Sequence, residues 1–407
     1  MSKSQTLILD LGGGCNKIGF ANESGPRIFD NCIFKSKYHG SSTFITPDLK
    51  KVQNLSKLYL NYPFKKGYIN NWDLQKEILD LTLNHLIPNK NLELEEYEVI
   101  LTEPYFNFSS AKSTMNQIMF EEYGIESLIV TNPAFLTAFN YCKKKQSKSC
   151  LVIDSGYSFS HLVGFTNGKI CPQHVVRLNV GGKIITNRLI EMISYRQLDV
   201  RSEVYIMNQC KEHSSFVSND FFQDLEKAKS KEFNHPDSIA KDYVLPDFSD
   251  VMQGYLTTHK IEKDKNQSEK NSNMLFLTNE RFTVPELLFY PSDVGFNEMG
   301  LEEALPYFIN EKVDSNVSRL NYLSNTIITG GNARLPGFVE RVEKILISSS
   351  PDDFPVNVES GNNPQISAWL GGKLLANHPE EGKRYQVSRR EYEENGDYIC
   401  EQRFPTL

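Results

Sequence analysis

One pattern occurs twice in this chain of 407 residues and limits its fold more than any other feature. The stretches "TLILDLGGG" (6–14) and "CLVIDSGYS" (150–158) each contain an apolar run, an aspartate and a turn of small residues. A second strand-like run follows each stretch, "IGFAN" after the first and "HLVGF" after the second. Uninterrupted apolar runs of this length are typical of strands that are covered on both faces. The repeat therefore predicts two similar α/β domains, each beginning with a hairpin.

The rest of the chain alternates strand-like runs with helical periodicity, which favours α/β layers. A third glycine turn, "IITGGNARLPGF" (327–338), follows an apolar strand and leads into a helix. The polar segment 247–275 has almost no periodicity, so we expect an inserted, mobile surface loop there. Apolar spacing predicts four further helices, at 73–87, 109–123, 182–195 and 364–377.

Composition excludes several classes of protein. A formal net charge of -7 argues against a protein whose whole surface follows nucleic acid. The seven cysteines include no CxxC pair, which favours a reducing compartment and argues against a zinc ribbon. No apolar run suits a signal peptide or a membrane span, so we expect a cytosolic or nuclear protein. We interpret the basic run "KKKQSK" (143–148) as a solvated loop between a helix and a strand, in preference to a localisation or DNA-binding patch.

The two aspartate-ended hairpins and the third glycine turn predict a phosphate site. Backbone N–H groups in such turns bind phosphate oxygens, and the carboxylates of Asp10 and Asp154 would hold a hydrated Mg²⁺. Each turn alone is often no more than a tight turn, but three in this order favour a site. The other residues that the pattern selects are glycines that let phosphate or adenosine approach the backbone and one lysine that would supply positive charge: Gly12, Gly13, Gly14, Gly156, Gly330, Gly331 and Lys17.

These motifs resemble, as an ordered set, the signatures of the actin superfamily over essentially the whole chain. The resemblance implies an actin-like α/β fold with two RNase H-like domains, divided into four subdomains around a nucleotide cleft. It is carried by "LDLGGGCNKIGFAN" (9–22), "NNWD" (70–73), "ILTEP" (100–104), "QIMFEEY" (117–123), "VIDSG" (152–156), "KE" (211–212), "NERFTVPELLF" (279–289), "TGGNARLPGF" (329–338) and "SAWLGGKLLA" (367–376). The implied boundaries are 1–31, 65–149 and 365–407 for subdomain 1, 32–64 for subdomain 2, 150–180 and 279–364 for subdomain 3, and 181–278 for subdomain 4.

The resemblance also implies roles for individual residues. Asp10 and Asp154 match the carboxylates that organise Mg²⁺ through water, and Lys17 matches the phosphate-binding lysine. His161 matches the histidine that helps to position the attacking water. Four more residues complete the implied nucleotide-binding set, two of them bordering the nucleoside (Lys211, Glu212) and two in the glycine turns (Ser155, Asn332). The expected cofactor is ATP or ADP with Mg²⁺, held as part of the structure; a cleft without nucleotide stays open as the alternative.

Departures from the actin pattern fall on residues that serve hydrolysis. Gly13 replaces a serine that would bond the terminal phosphate, and Tyr157 replaces an acidic residue, with Ser158 where a glycine is expected. Asn140 stands at the position of actin's water-orienting glutamine, and Gln365 at that of a lysine beside the adenine. Phosphoryl transfer depends on positioning and charge stabilisation, so we expect slow or no hydrolysis.

Further departures resemble a nuclear branch of the actin-related proteins. They are "DSGYSFSH" (154–161), "SYRQLDV" (194–200), "DYVLPDFSD" (242–250), "YPSDVGFNEMG" (290–300) and "REYEENGDYICEQRF" (390–404). This branch implies a scaffold subunit of a chromatin remodeller that exchanges the Z variant of histone 2A into nucleosomes. The implied partners are a large Swi/Snf-type remodelling ATPase and a zinc-finger HIT-type subunit, with the nucleosome and the variant histone dimer reached through the complex. The implied location is the nucleus, with a cytoplasmic pool; whether DNA is contacted directly stays open.

Two rival functions share the superfold. A polymerising cytoskeletal ATPase is disfavoured by the altered hydrolysis residues and by the unrelated sequence at 35–62, where actin has its subdomain-2 loop. A sugar kinase would need a catalytic base beside a sugar pocket, and a heat-shock chaperone would need a substrate domain after the ATPase. The actin-like motifs extend nearly to the last residues, so we expect neither.

Overall fold

A computed structural model describes residues 5–36, 43–51, 58–87, 94–229, 238–247, 251–258 and 273–406. Contacts divide the chain into two compact units. Unit 1 contains Met1–Asp154, Val163–Val175 and Gly361–Leu407, and unit 2 contains Ser155–Leu162 and Val176–Ser360. The structure is mixed α/β, as predicted. The boundaries of the four subdomains stay a prediction.

The strands in chain order are β1 (Gln5–Leu11), β2 (Cys15–Phe20), β3 (Arg27–Asp30), β4 (Ile33–Ser36), β5 (Thr43–Phe44), β6 (Leu58–Asn61), β7 (Phe64–Lys65), β8 (Tyr68–Ile69), β9 (Tyr97–Thr102), β10 (Ser127–Thr131), β11 (Ser149–Ser155), β12 (Ser160–Thr166), β13 (Lys169–Leu178), β14 (Lys241–Val244), β15 (Tyr255–Thr258), β16 (Met274–Leu277), β17 (Thr326–Thr329), β18 (Val358–Ser360) and β19 (Val387–Ser388).

The helices are α1 (Trp72–Leu86), α2 (Ser109–Gln117), α3 (Pro133–Lys145), α4 (Gly182–Arg196), α5 (Val204–Ser214), α6 (Phe221–Lys229), α7 (Glu280–Thr283), α8 (Leu301–Tyr307), α9 (Asn316–Ser324), α10 (Phe338–Ser349), α11 (Ser367–Ala376), α12 (Pro379–Gly382), α13 (Arg389–Asn395) and α14 (Asp397–Arg403). Within the described residues, no helix has both the length and the apolar character needed to cross a membrane.

The strands form two large sheets and several small ones. A six-stranded sheet has the order β19-β10-β9-β1-β2-β3, and a five-stranded sheet has the order β13-β12-β11-β17-β18. In the first, β1 runs parallel to β9 and β9 runs parallel to β10, whereas β1 and β2 form an antiparallel hairpin. The hairpin register places Asp10 opposite Lys17. Two small three-stranded sheets have the orders β5-β4-β6 and β15-β14-β16.

The first apolar run is covered on both faces, as its sequence predicts. Leu7 and Leu9 of β1 belong to one buried hydrophobic cluster with Leu79 of α1. On the opposite face, a Cβ atom at Gly372 would lie 3.0 Å from Cγ2 of Ile8, so α11 packs closely against this face. The alternation of side chains along a strand sends neighbouring residues to opposite faces, which explains why an unbroken apolar run is needed here.

All four predicted helices are present. The segment 73–87 forms α1, whose first turn is capped by the Asn71 side chain accepting the Leu74 N–H at 3.0 Å. The segment 109–123 forms α2 and continues as a π-helical turn over Ile118–Glu122. The segment 182–195 forms α4, and 364–377 forms α11 after a short 3₁₀ turn at Pro364–Ile366.

Two expectations about loops need correction. Within the predicted loop 247–275, residues Tyr255–Thr258 form β15 and Met274 begins β16, and both strands pair with β14. A run of four residues is too short to show strand periodicity among polar neighbours, which is why the sequence missed it. Residues 251–254 form neither helix nor strand, as predicted, and the parts of the prediction at 248–250 and 259–272 lie outside the described residues. Lys143–Lys145 form the last turn of α3 instead of a loop, because the helix ends only at Gln146.

The contact between α11 and α3 yields a stability prediction. A Cβ atom at Gly371 would lie 2.0 Å from the backbone oxygen of Leu136, which cannot move without shifting α3. We expect Gly371→Ala to lower the free energy of unfolding by about 3 kcal/mol or more, measured by urea denaturation. Gly25→Ala is the control, since nothing lies within 4 Å of its added Cβ atom. Equal midpoints for the two variants would contradict the packing described.

Candidate phosphate-binding loops of the two units

The first candidate loop joins β1 to β2 in unit 1, and it begins at a buried carboxylate. Asp10 is 4% exposed, and its Oδ1 accepts a hydrogen bond from the Thr102 hydroxyl at 2.8 Å. The same hydroxyl oxygen accepts the Leu11 N–H at 3.0 Å. Thr102, at the end of the neighbouring strand β9, therefore fixes both the carboxylate and the start of the turn. Sequence reasoning missed this residue, although its place after the apolar run of β9 was a usable signal.

Lys17 lies beside this carboxylate because it stands opposite Asp10 in the hairpin. Its Nζ is 3.1 Å from Asp10 Oδ2. Burial by itself would lower the pKa of Lys17, but the charges of Asp10, Cys15 and Asp154 raise it above its ordinary value. The lysine is therefore charged at neutral pH, as a phosphate-binding role requires.

The glycine turn is held in a tight conformation. The Gly12 N–H donates to the Cys15 carbonyl at 3.2 Å, and a Cβ atom at Gly12 would lie 2.7 Å from that oxygen. The buried Asn31 donates its side-chain N–H to the Gly12 carbonyl at 2.9 Å and its backbone N–H to the Gly14 carbonyl at 3.0 Å. Gly13 lies between these two anchored residues and carries no hydroxyl. Asn31 was not found from the sequence, because nothing local marks it as a partner of this turn.

Asp154, near the end of β11, is the second predicted carboxylate of unit 1. Its pKa is raised to about 6, first by burial and then by the charge of Asp10, while the charge of Lys17 opposes the shift. Asp10 and Asp154 therefore repel each other, and a divalent cation held between them through water would relieve that repulsion. In the described residues no group of three or more His, Cys, Asp or Glu side chains is arranged to hold a metal directly. Two carboxylates fit the looser, water-mediated arrangement predicted for Mg²⁺.

The second candidate loop, in unit 2, is anchored by the third glycine turn. Asn332 Nδ2 donates to Ser155 Oγ at 3.1 Å and to the Gly156 carbonyl at 2.8 Å. Ser155 Oγ is also 2.9 Å from the hydroxyl of Ser160, and the Gly156 N–H donates to the Phe159 carbonyl at 2.9 Å. The structure thus brings Asn332 into contact with Ser155 and Gly156, although Asn332 is 177 positions from Ser155 in the sequence.

The N-terminus of α4 also holds this loop. The Gly182 N–H donates to the Gly156 carbonyl at 3.0 Å, and the Lys183 N–H donates to the Tyr157 carbonyl at 2.8 Å. A Cβ atom at Gly181 would lie 2.7 Å from the Tyr157 carbonyl oxygen, so glycine is required there. The first backbone N–H groups of α4 therefore hold the loop in place by donating hydrogen bonds to its carbonyl groups. The sequence signal for this contact was the glycine pair that precedes the helical pattern of α4.

The side chain of Asn208 links the side chains of Lys211 and Glu212 by hydrogen bonds. Lys211 is 4% exposed, and its Nζ donates to Asn208 Oδ1 at 2.8 Å. Asn208 Nδ2 in turn donates to Glu212 Oε1 at 2.8 Å. Burial lowers the pKa of Lys211 to about 8, against the opposing charge of Glu212. Its Nζ is 5.8 Å from the centre of the Tyr157 ring, so the residue that departs from the actin pattern lies within cation–π distance of this lysine.

His161 is buried in unit 2 and stays neutral at physiological pH. Burial and the charge of Arg177 lower its pKa to about 3. The Phe159 ring packs edge-on against the imidazole with 5.7 Å between ring centroids, and the Arg177 guanidinium lies 3.8 Å from the centre of the same ring. A neutral imidazole can donate or accept a hydrogen bond but cannot supply a proton as an imidazolium would at neutral pH.

The remaining candidates have distinct local settings. Gly330 has a φ of 96°, a conformation that favours glycine, and an added Cβ atom at Gly331 would meet nothing within 4 Å. The turn thus leaves room above Gly331. In unit 1, Asn140 lies half-buried on α3, and Gln365 Nε2 lies 3.0 Å from Cys15 Sγ, next to the first loop.

Comparisons with known proteins all assign the chain to one family. The model of the actin family matches residues 1–405. The chain is 36% identical to actin-related protein 6 of Drosophila melanogaster, over 96% of this chain and 97% of that protein. It is 32% identical to actin-related protein 6 of Arabidopsis thaliana, over 98% and 99% of the two chains, and 30% identical to that of Dictyostelium discoideum, over 99% and 95%.

The raised pKa of Asp154 yields a prediction about pH. The folded-state value of about 6 lies above the unfolded value of 3.8, so the folded state binds the proton more tightly and loses stability as the pH rises between these values. Asp154→Asn removes this loss. We therefore expect the free energy of unfolding of the variant, relative to the parent protein, to rise between pH 4.5 and about 6.5 and then level off, in urea titrations at each pH.

Asp199→Asn is the matched control, because the Arg201 side chain lowers the pKa of Asp199 to about 2. Its carboxyl is ionised in both states over the same range, so its difference from the parent protein should change little with pH. A flat curve for Asp154→Asn would mean that Asp154 does not share a buried site with Asp10.

Proposed function

The chain belongs to the actin family and, within it, to the branch of actin-related protein 6, and from this premise we propose that it is a nuclear scaffold subunit with a nucleotide-binding fold. The observation that carries the proposal is full-length similarity to proteins of that name, at 30–36% identity for the animal, plant and amoeba relatives. Fold alone does not give function, so the proposal depends also on the residues of the two loops.

Both loops have features that suit a phosphate group. In unit 1 the glycine turn lies beside the charged Lys17, since a Cβ atom at Gly12 would be 3.4 Å from Lys17 Nζ. The Gly12 N–H is already bonded to the Cys15 carbonyl, so the N–H groups of Gly13 and Gly14 are those proposed to bind phosphate. In unit 2, the turn at Gly156 is fixed by hydrogen bonds from Asn332 and from the N-terminus of α4. We propose that these loops bind the phosphates of ATP or ADP. Asp10 and Asp154 would hold Mg²⁺ through water, and the bound Mg²⁺ would neutralise phosphate charge.

The chain lacks several groups that the resemblance to actin assigns to hydrolysis, so we propose that turnover is slow or absent. Gly13 offers no hydroxyl to the terminal phosphate, and Tyr157 offers no carboxylate. Asn140 has an amide one methylene shorter than glutamine, which weakens its hold on an attacking water. Each loss removes positioning or charge stabilisation, the main sources of catalysis in phosphoryl transfer.

The proposed role of the bound nucleotide is therefore structural. A ligand that binds only the folded state stabilises it by mass action, without any chemical step. Tyr157, packed within cation–π distance of Lys211, further favours a fixed arrangement of the second loop. A subunit of this kind supplies a rigid surface to its partners instead of a cycle of opening and closing.

We propose that the partners are those of the branch: a large Swi/Snf-type remodelling ATPase and a zinc-finger HIT-type subunit. The nucleosome and the dimer containing the Z variant of histone 2A would be reached through the complex. The net charge of -7 supports contact with DNA through the partners more than through a broad surface of this chain. The proposed location is the nucleus, with a cytoplasmic pool.

Affinity purification tests this assignment. We expect the tagged chain, recovered from nuclear extract at moderate salt, to carry a Swi/Snf-type ATPase and a zinc-finger HIT-type protein in near-stoichiometric amounts, identified by mass spectrometry. Cytoplasmic actin with the same tag is the control and should not recover the zinc-finger subunit. Recovery of the chain alone, or with cytoplasmic filaments, would favour the polymerising alternative and reject the scaffold role.

A further inference from the structure

We propose that Cys142 and Cys150 form a reversible disulfide when the protein meets hydrogen peroxide, which makes this pair an oxidative modification site outside the nucleotide-binding loops. Both residues lie in unit 1, Cys142 near the end of α3 and Cys150 near the start of β11. Their sulfur atoms are 3.7 Å apart, and both are free thiols. A disulfide bond is about 2.05 Å long, so the sulfurs need to approach by about 1.7 Å to form one.

The two thiols differ in exposure, which assigns them different roles. Cys142 is half-buried and is followed by four exposed residues, 143–146, so a small oxidant can reach it. Cys150 is fully buried. In oxidant-sensing cysteine pairs the accessible thiolate reacts first and the second thiol resolves the product. Cys142 is therefore the attacking residue, and Cys150 is the resolving residue.

The contact between the sulfurs supports this order. A hydrogen bond between two thiols can run either way, but once Cys142 is ionised the Cys150 thiol is the donor. This hydrogen bond lowers the pKa of Cys142, with burial opposing it. The contact with Cys142 and the loss of water raise the pKa of Cys150 well above its usual range. Cys142, the accessible cysteine, therefore ionises more readily than Cys150, and the thiolate is the reactive form of a cysteine.

The oxidation is balanced with peroxide as the two-electron acceptor. The Cys142 thiolate attacks one peroxide oxygen, the O–O bond breaks, and a sulfenic acid and hydroxide result. The Cys150 sulfur then attacks the sulfenic sulfur, the S–O bond breaks, and a second hydroxide leaves. The two hydroxides take up the two thiol protons, so two thiols and one peroxide give one disulfide and two water molecules. A small dithiol reverses the step by thiol–disulfide exchange.

The fold keeps the two cysteines close while leaving the chain between them on the surface. The Lys143 ammonium forms an ion pair with Glu381, which holds the last turn of α3. At the other end, the Lys148 carbonyl accepts the Asn167 N–H at 2.7 Å, which holds the start of β11. The proximity thus depends on two anchored ends and not on the loop alone. Disulfides are transient in reducing compartments, which suits a reversible modification.

The lysines between the cysteines make the product easy to identify. Trypsin cleaves after Lys143 and Lys148, so the oxidised protein should give one disulfide-linked pair of peptides, 113–143 with 149–169. The experiment treats the full chain with hydrogen peroxide, blocks the remaining thiols with an alkylating reagent and digests without reductant. We expect mass spectrometry to find this linked pair in more than half of the chains, and to lose it after dithiothreitol treatment.

Three variants separate the proposal from general oxidation. Cys150→Ala should stop the reaction at the sulfenic acid of Cys142, which dimedone will label, while Cys142→Ser should remove both the linked peptides and the dimedone label. Cys171→Ser, at another half-buried cysteine, should leave the linked pair unchanged. The proposal is overturned if Cys142 in the parent protein is oxidised only to sulfinic or sulfonic acid. It is equally overturned if Cys142 links to a different cysteine, or if Cys171 reacts while Cys142 stays reduced.

Discussion

The arrangement of the first loop depends on one buried ion pair, that between Asp10 and Lys17. The hairpin register places the two side chains opposite each other, and Thr102 holds the carboxylate from the neighbouring strand. Removing one partner of such a pair leaves an uncompensated buried charge, which typically costs about 3–5 kcal/mol. The lysine stays charged because of the carboxylate, and the raised pKa of Asp154 reflects the same local field. The strand order of unit 1 therefore fixes the electrostatics of its candidate site.

The second loop is held by hydrogen bonds between uncharged groups instead of by an ion pair. Asn332 and the first N–H groups of α4 take the carbonyls and hydroxyls of the turn, so few of its polar atoms need to move when a phosphate arrives. Pre-organisation of this kind lowers the cost of binding, but it does not create a hydrolytic site. The loop contains Ser155 and Gly156, to which the resemblance to actin assigns a binding role, and has Tyr157 where that resemblance expects an acidic residue. These residues support the proposal that the chain binds a nucleotide without turnover.

Much of the fold could be predicted from the sequence because its signals are local. The apolar runs of β1 and β11, the four helical segments and the glycine turns all appear where periodicity and turn residues place them. The short strand β15 could not be predicted, because four residues among polar neighbours show no clear period. The orienting residues Thr102 and Asn31 were missed for another reason. They reach the first loop from distant positions, and only the strand order brings them there.

Some individual site residues could likewise be predicted from the sequence, and others could not. Gly12 and Gly330 were recognisable because backbone geometry demands glycine, whereas Asn208 became visible only as the link between Lys211 and Glu212. Asn208 precedes Lys211 by one helical turn, so the spacing held a signal that the sequence reading did not use. The pKa values of Asp154 and His161 depend on burial and on neighbouring charges, and neither can be obtained from residue type alone.

We propose that this member of the actin family holds a nucleotide without consuming it. The most direct measurement loads the purified chain with Mg²⁺ and ATP, removes the excess, incubates the protein for hours and identifies the nucleotide released by acid. The account predicts intact ATP, near one molecule per chain, and little or none from the Lys17→Met variant that lacks the phosphate-binding charge. Recovery of ADP with an equal amount of free phosphate from the parent protein would contradict the account.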